Sequence, residues 1–299
     1  MPTTFTVEED YQDTRLDRWF KNNVIDIPHS LIEKIIRLNK VKVNKKKTKS
    51  SYRVQIGDLV EVYNIEKFEQ KKKNNLIKYI PKSKELDDYN KYIIENNENF
   101  IILNKPAGIP VQGGTKSFKN IVDILKKSNY FKDSKPFIVH RIDKETSGIL
   151  VVAKNRKFAQ LFTSLFRIRK IHKTYIAFTY GKVSKKLKTL KDNLIYFEKN
   201  KKIIQKAISH LKIIKANEKY SFIEINPVTG RKHQLRRQLL NIGNPIIGDD
   251  KYFIYGNKRF NNKNLFLHAY KIKFMINNVR YNFKAKYNKE FENFLKKNF

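Results

Sequence analysis

The apolar periodicity of this chain stops between residues 64 and 92. The sequence there runs through Gln70-Lys71-Lys72-Lys73-Asn74-Asn75 and further charge runs, with no spacing that would bury one face of a helix or strand. A stretch of that length without structure of its own is uncommon inside one compact domain. The expected organisation is a linker at 64–92 between two bodies, 1–63 and 93–299, in a chain of 299 residues that is long enough for two cores.

In the first body, Leu16, Trp19 and Phe20 fall at i, i+3 and i+4, which predicts a short helix with one apolar face. Pro28 closes the following loop. Ser30 and Glu33 then have the spacing of a capping box ahead of the stripe Leu31, Ile32, Ile35 and Ile36, from which Lys34, Arg37 and Lys40 fall away. Val41-Lys42-Val43-Asn44 alternates as a strand, and Gly57-Asp58 turns into a second, Leu59-Val60-Glu61-Val62. Through "RLDRWF", "IPHSLIEKIIRLNKVKVNKKK" and "GDLVEVY", about residues 13 to 63 resemble the S-four-type (alpha-L) RNA-binding domain. The resemblance implies RNA contact by Arg15, Arg18, Arg37 and Lys42.

In the second body, Phe100-Ile101-Ile102-Leu103 reads as a strand and Asn104 to Pro110 as a turn. Gly113-Gly114-Thr115-Lys116-Ser117 lacks the order of a phosphate-binding P-loop, so no nucleotide is expected there. Two β-branched runs, Phe137-Ile138-Val139 and Ile149-Leu150-Val151-Val152, flank the polar stretch His140-Arg141-Ile142-Asp143-Lys144-Glu145-Thr146-Ser147-Gly148. This predicts a strand-to-strand turn in which Thr146, Ser147 and Gly148 supply the turn chemistry, and a loop on a rigid sheet is a common seat for catalytic side chains. Taken alone, such a turn more often carries an acid paired with Arg141 or Lys144 than a reactive one. The protein-kinase H-R-D loop is excluded by the order His-Arg-Ile-Asp and by the lack of a glycine-rich loop, an Asp-Phe-Gly and a metal-binding Asn.

Further on, Phe158, Leu161, Phe162, Leu165 and Phe166 form a core-facing helix stripe, and His172 to Phe178 and Tyr220 to Ile225 read as strands. Pro227-Val228-Thr229-Gly230 leads into a helix predicted to begin at Arg231, with Leu235, Leu239 and Leu240 inward and Gly243 near its end. Helices and strands mix without a regular βαβ repeat. The fold class is therefore α+β, with a mixed or antiparallel sheet in the second body.

A formal net charge of +36 points to a polyanionic partner, because each cation that meets a phosphate releases counterions. A chain rich in Lys, Asn and Ile also reflects an A/T-biased genome, which explains much of the lysine but not the arginines set inside the motifs. No basic amphipathic helix suited to a membrane surface is visible, and no apolar run reaches the roughly 18 residues that span a bilayer. The absence of cysteine removes disulfides and thiolate chemistry, and the six histidines show no paired ligand spacing, so no metal is expected. The polar, acidic start resembles neither a secretory signal nor a transit peptide. A soluble, cytoplasmic monomer is the expectation.

Taken together, "LNKPAGIPVQGG", "VHRIDKETSGILVVAKN", "KTYIAFTYGK", "PVTGRKHQLR", "NPIIGDDKY" and "LFLHAYKIKF" resemble, in this order, the RluA/RluC/RluD family of RNA pseudouridine synthases over about residues 97 to 275. The resemblance implies a pseudouridine synthase catalytic domain that needs no cofactor. Asp143 matches the essential aspartate acting at the ribose, and Tyr175 the tyrosine that contacts the base and helps remove its carbon-5 proton. Arg236 matches the partner of that aspartate, Leu235 the residue packing under the base, and Arg141 the residue entering the RNA where the uridine leaves its stack. His140, Arg231 and Lys232 join the implied RNA-contacting set. Within the family, the N-terminal domain and the phrases "IPHSLIEKIIRLNKVKVNKKK" and "GIPVQGG" look most like the RluC type, which implies large-subunit ribosomal RNA as substrate and partner. Gln112, Lys232 and the pair Arg237-Gln238 depart from that branch's usual residues. The alternatives are the same chemistry at other ribosomal or transfer RNA sites, and a non-catalytic RNA-binding or ribosome-assembly protein. A pure binder would not need Asp143, Tyr175 and Arg236 together.

Overall fold

The computed structural model describes residues 2–64, 66, 81, 89–113, 119–132, 134–198, 201–254 and 264–299. The chain divides into two units, Met1–Lys78 and Tyr79–Phe299. Most of the expected linker and residues 114–117 of the glycine-rich stretch lie outside the described residues. Tyr89, inside the expected linker, already packs against the core of the second unit.

The first unit runs β1 (Thr3–Thr6), β2 (Thr14–Arg15), α1 (Leu16–Asn23), α2 (His29–Arg37), β3 (Val41–Val43), β4 (Lys46–Lys47), β5 (Arg53–Val54) and β6 (Leu59–Val62). A four-stranded sheet in the order β1-β6-β3-β4 is antiparallel throughout, and β2 pairs with β5. Leu16, Trp19 and Phe20 of α1 meet Ile32, Ile35 and Ile36 of α2 over Val41, Val43, Val60 and Val62, so the two periodicities read from the sequence share one core. The capping box does not form. Helix α2 begins one residue before Ser30, with Pro28 as its N-cap and no side-chain cap, because the fixed φ of Pro28 suits the chain to enter the helix there.

The second unit runs β7 (Ile93–Asn96), β8 (Phe100–Lys105), α3 (Ile121–Lys127), β9 (Phe137–Ile138), β10 (Ser147–Ala153), α4 (Arg156–Arg167), β11 (His172–Tyr180) and β12 (Thr189–Glu198). It continues with β13 (Lys201–Ala216), β14 (Tyr220–Pro227), α5 (Gln234–Asn241), β15 (Leu267–Ile276), β16 (Val279–Lys284) and α6 (Lys289–Asn298). One mixed sheet has the order β12-β13-β14-β11-β15-β10-β8-β7, with β16 on β15 and β9 on β10. Its pairs are antiparallel except β10 with β15. No helix among the described residues is long and apolar enough to cross a membrane.

Strand β10 is buried from Gly148 to Ala153, which accounts for the unbroken apolar run in its sequence. Ser147 and Gly148 belong to this strand rather than to the turn before it. Gly148 has φ +105°, and a Cβ there would lie 2.3 Å from the carbonyl oxygen of Ala269, so only glycine permits the close parallel pairing with β15. Strand β9 pairs further along β10, at Val152 and Ala153. The loop between β9 and β10 is therefore held against the middle of the sheet.

Helix α5 begins at Gln234, three residues later than expected. His233 is its N-cap in the left-handed region, at φ 51°. The buried Gln234 side chain accepts from Arg231 N–H at 3.0 Å and from Thr229 Oγ1 at 2.8 Å, and donates to Ile208 O at 3.1 Å, so the preceding residues form a turn folded onto the helix start. Of the α4 stripe only Phe162 is fully buried. Phe166, the last of the stripe, instead lines a surface cavity.

Candidate active site

Asp143 lies on the loop between β9 and β10, and three hydrogen bonds fix that loop. Thr146 N–H donates to Asp143 O at 3.2 Å, Gly108 N–H to Lys144 O at 2.9 Å, and Lys105 Nζ to the same Lys144 O at 3.0 Å. Lys105 is 1% exposed and also donates to the carbonyls of Pro106 at 2.8 Å and Ile109 at 2.9 Å. Burial draws its pKa down to about 7, against the pull of Glu145 and Asp143 in the other direction. Lys105→Met would strip three carbonyls of their donor. We expect it to destabilise the protein by about 2–4 kcal/mol and to loosen the loop, read as a lowered melting temperature with a reduced kcat; an unchanged melt would contradict this account of the loop.

Two basic groups face the Asp143 carboxylate. Arg236 Nη1 lies 3.8 Å from Oδ2, and His233 Nε2 lies 3.7 Å from Oδ1. Arg236 is held more tightly elsewhere: its Nε donates to Asp249 Oδ2 at 2.7 Å and its Nη2 to Asp249 Oδ1 at 2.6 Å. Burial opposes the guanidinium charge, yet the carboxylates of Asp249, Asp143 and Asp250 raise its pKa, so it stays ionised. Asp249 Oδ1 in turn accepts N–H groups of Lys251 and Tyr252. The Tyr252 ring lies under Arg236 at 5.1 Å and its hydroxyl meets His233 Nδ1 at 3.0 Å. Asp143 thus faces one edge of a guanidinium whose other edge is locked to a buried carboxylate.

Above Asp143 is a cavity of about 120 Å³ lined by Tyr175, Thr146, Leu235 and Leu267. Leu235 also packs into the main core, which fixes its position as an apolar wall. The pairing of β11 with β15 shifts register between Thr174 and Tyr175, the kind of irregularity that re-aims a side chain. Burial, and then the charge of Asp143, raises the Tyr175 pKa above the ordinary tyrosine range. Its hydroxyl is therefore neutral at working pH.

The structure separates the sequence-derived RNA-contacting residues into different environments. Arg141, exposed, lines the Asp143 cavity and a larger one beside it, as does Arg231, whose Nε donates to Lys206 O at 3.2 Å. Lys232 is exposed, and its carbonyl accepts the Tyr196 hydroxyl at 3.0 Å. His140 is not a cation. Its Nε2 accepts the Val151 N–H at 2.9 Å, between the parts of β10 that pair with β15 and β9, and burial pushes its pKa down to about 3. Its ring packs against Phe166, tilted by 33° with the ring centres 4.6 Å apart. In the first unit, Arg18 and Arg37 are exposed and Lys42 lies over the Tyr63 ring at 5.2 Å. Arg37 borders a groove with Lys34, Lys47 and Lys49. Arg15 is engaged with Asp17, its Nε donating to both carboxylate oxygens at 3.2 Å. Asp17, His29 and Glu33 converge closely enough to suggest a cation site, but that guanidinium already neutralises the buried carboxylate.

Sequence reasoning did not single out Asp249, His233, Tyr252 or Lys105. The first three lie inside or next to the quoted "PVTGRKHQLR" and "NPIIGDDKY", and Lys105 inside "LNKPAGIPVQGG", but no local pattern marks them as partners of Asp143.

The sequence model of the family described as RNA pseudouridylate synthase matches residues 99–241. A Rickettsia conorii protein named ribosomal large subunit pseudouridine synthase C is 36% identical over 273 residues, which cover 86% of this chain and 87% of the relative. A Buchnera aphidicola protein of the same name is 32% identical over 284 residues, covering 90% and 88%. Among solved structures, human RNA pseudouridylate synthase domain containing 4 superposes with a TM-score of 0.60 at 24% identity, over 71% of this chain and 94% of that one. That likeness is one of fold.

Proposed function

This chain belongs to the RNA pseudouridylate synthase family, and from that premise we propose that it isomerises specific uridines of large-subunit ribosomal RNA to pseudouridine. The relatives named above supply the RNA class. The observation that carries the residue assignment is the 3.8 Å approach of Arg236, itself clamped by Asp249, to an Asp143 that opens into a small cavity beside Tyr175. The reaction detaches uracil from its sugar at nitrogen, rotates it and rejoins it at carbon 5, with one proton leaving that carbon and one added at the freed nitrogen. No atoms are gained or lost. The uridine must first leave its stack, at a cost of a few kcal/mol that RNA contacts offset.

In this reading Asp143 acts at the ribose, with the Arg236 guanidinium facing its carboxylate at 3.8 Å. Leu235 and Tyr175 bracket the base, and Arg141 fills the gap left in the RNA. The exposed Arg18 and Arg37 and the half-buried Lys42 of the first unit hold flanking RNA in the manner of an S-four-type domain, and the groove beside Arg37 extends that surface.

Pseudouridine mapping of ribosomal RNA tests this directly. Sites absent from cells lacking the protein should return with the wild type and not with Asp143→Ala, and purified protein should form the product on unmodified large-subunit RNA. No product in that second assay would overturn the proposal. Because Tyr175 offers its ring to the base and its hydroxyl to proton transfer, Tyr175→Phe should lower kcat by about 10²-fold while KM changes little. The raised pKa keeps that hydroxyl protonated up to its ordinary value of 10.0. A wild-type loss of kcat below that pH that disappears in Tyr175→Phe would contradict the assignment.

A further inference from the structure

Beside the Asp143 cavity lies a second one of about 700 Å³, within the range of roughly 300–1,000 Å³ that holds a drug-sized molecule. Five cations line it: Arg141, Arg167, Arg169, Lys173 and Arg231. No Asp or Glu is among its described lining residues, and one wall is the ring pair Phe166 and His140. An aromatic wall with unopposed cations fits a nucleotide better than a neutral molecule. Arg141, Lys173 and Arg231 line both cavities, together with Tyr175, Pro227, Thr229 and Gly230.

Resting on the reading of Asp143 as the site of uridine isomerisation, we propose that the larger cavity takes the nucleotide next to the target uridine and that Lys173 anchors the phosphodiester joining the two. The chain connecting occupants of two adjoining cavities must cross the residues common to both, and three of those are cations. Asp143 repels a phosphate from the smaller cavity, so the ridge between them is where its charge is best met. Among the three cations, Arg231 has its Nε tied to a backbone carbonyl and Arg141 is exposed. Lys173 is half-buried, and among the described residues its ammonium has neither a hydrogen bond nor a carboxylate partner. Its Nζ lies 3.9 Å from the Cβ position of Gly230 and 6.0 Å from the centre of the Phe166 ring, so it stands on the ridge itself. Burial lowers its pKa, a charge held at a cost that a bound phosphate would reverse. The neutral state of His140 fits the same arrangement, since Lys173 lies close enough to add to the lowering of its pKa.

The test uses the full-length protein and a short RNA carrying a mapped target uridine, with a neutral methylphosphonate replacing the phosphate on its 5′ or its 3′ side. For the wild type, one of the two replacements should raise KM by about tenfold or more with little change in kcat. In Lys173→Met the all-phosphate RNA should already show that rise, and the methylphosphonate should add less than about twofold; Lys173→Arg should recover part of the loss. If neither replacement raises the wild-type KM, the inference is overturned without recourse to a variant. Full penalties for the methylphosphonate in both Lys173→Met and Lys173→Gln would overturn it as well. A wild type that forms no pseudouridine on the unmodified RNA would instead sink the isomerase reading, and the two failures are thereby distinct.

Discussion

Asp143→Asn is expected to lower kcat by at least about 10⁴-fold while leaving the fold intact. Groups acting directly on the bond being broken are worth roughly 10⁴–10⁶-fold when removed, far beyond what a misplaced positioning residue costs. The side chain is 28% exposed, and among the described residues its polar contacts are long, at 3.7 and 3.8 Å, with His233 and Arg236. Replacing it by an amide of the same shape should therefore change stability by less than about 1 kcal/mol. Single-turnover rates on unmodified RNA and a thermal melt measure the two quantities. A variant that melts with the wild type and still isomerises uridine at more than a hundredth of the wild-type rate would remove Asp143 from the chemistry.

The second large effect belongs to Asp249. Its side chain is fully buried and holds Arg236 through two short hydrogen bonds, with the guanidinium side chain itself 5% exposed. Asp249→Ala leaves that charge inside the protein without its main partner. Breaking such a pair costs about 3–5 kcal/mol, which for a domain of this size lowers the melting temperature by roughly 6–20 °C. The released guanidinium would swing toward Asp143 or Asp250, and a shift of that kind near the reacting atoms costs about 10²-fold in rate. A paired replacement separates the two roles. Asp249→Leu with Arg236→Met removes both charges and should recover most of the stability without recovering activity. Recovery of both would show that Arg236 serves the fold alone.

The difference between these two carboxylates shows how the site divides. Asp143 is exposed enough to meet a substrate and only loosely held from the side. The Asp249 side chain is fully buried, yet through its two bonds to Arg236 it fixes where a positive charge stands relative to Asp143. Lys105 performs the corresponding task from below, binding the backbone carbonyl of the residue after Asp143 and thereby setting the height of the loop.

Much of this was determined by the sequence alone, where the cause is local. The i, i+3, i+4 spacing of Leu16, Trp19 and Phe20 makes a helix bury that face whatever it packs on, and the run Ile149 to Val152 is apolar because β10 is covered on both sides. The polar residues around Asp143 had to lie between strands, since neither flanking run could extend through them. The order of the motifs likewise marked the family, because each motif is contiguous. What only the tertiary structure decided depends on partners far apart in the chain. Gly148 is glycine because Ala269 approaches it across the sheet, and His140 is a neutral acceptor because a gap in β10 pairing exposes the Val151 N–H. Phe166 continues a core stripe by spacing but lines a cavity in the last turn of its helix. The clamp of Asp249 on Arg236 and the three carbonyls gathered by Lys105 leave no periodic trace either. Side-chain polarity and spacing dictate which face of an element is buried, whereas the identity of the group it meets there is set only when the sheet closes and brings distant segments into register.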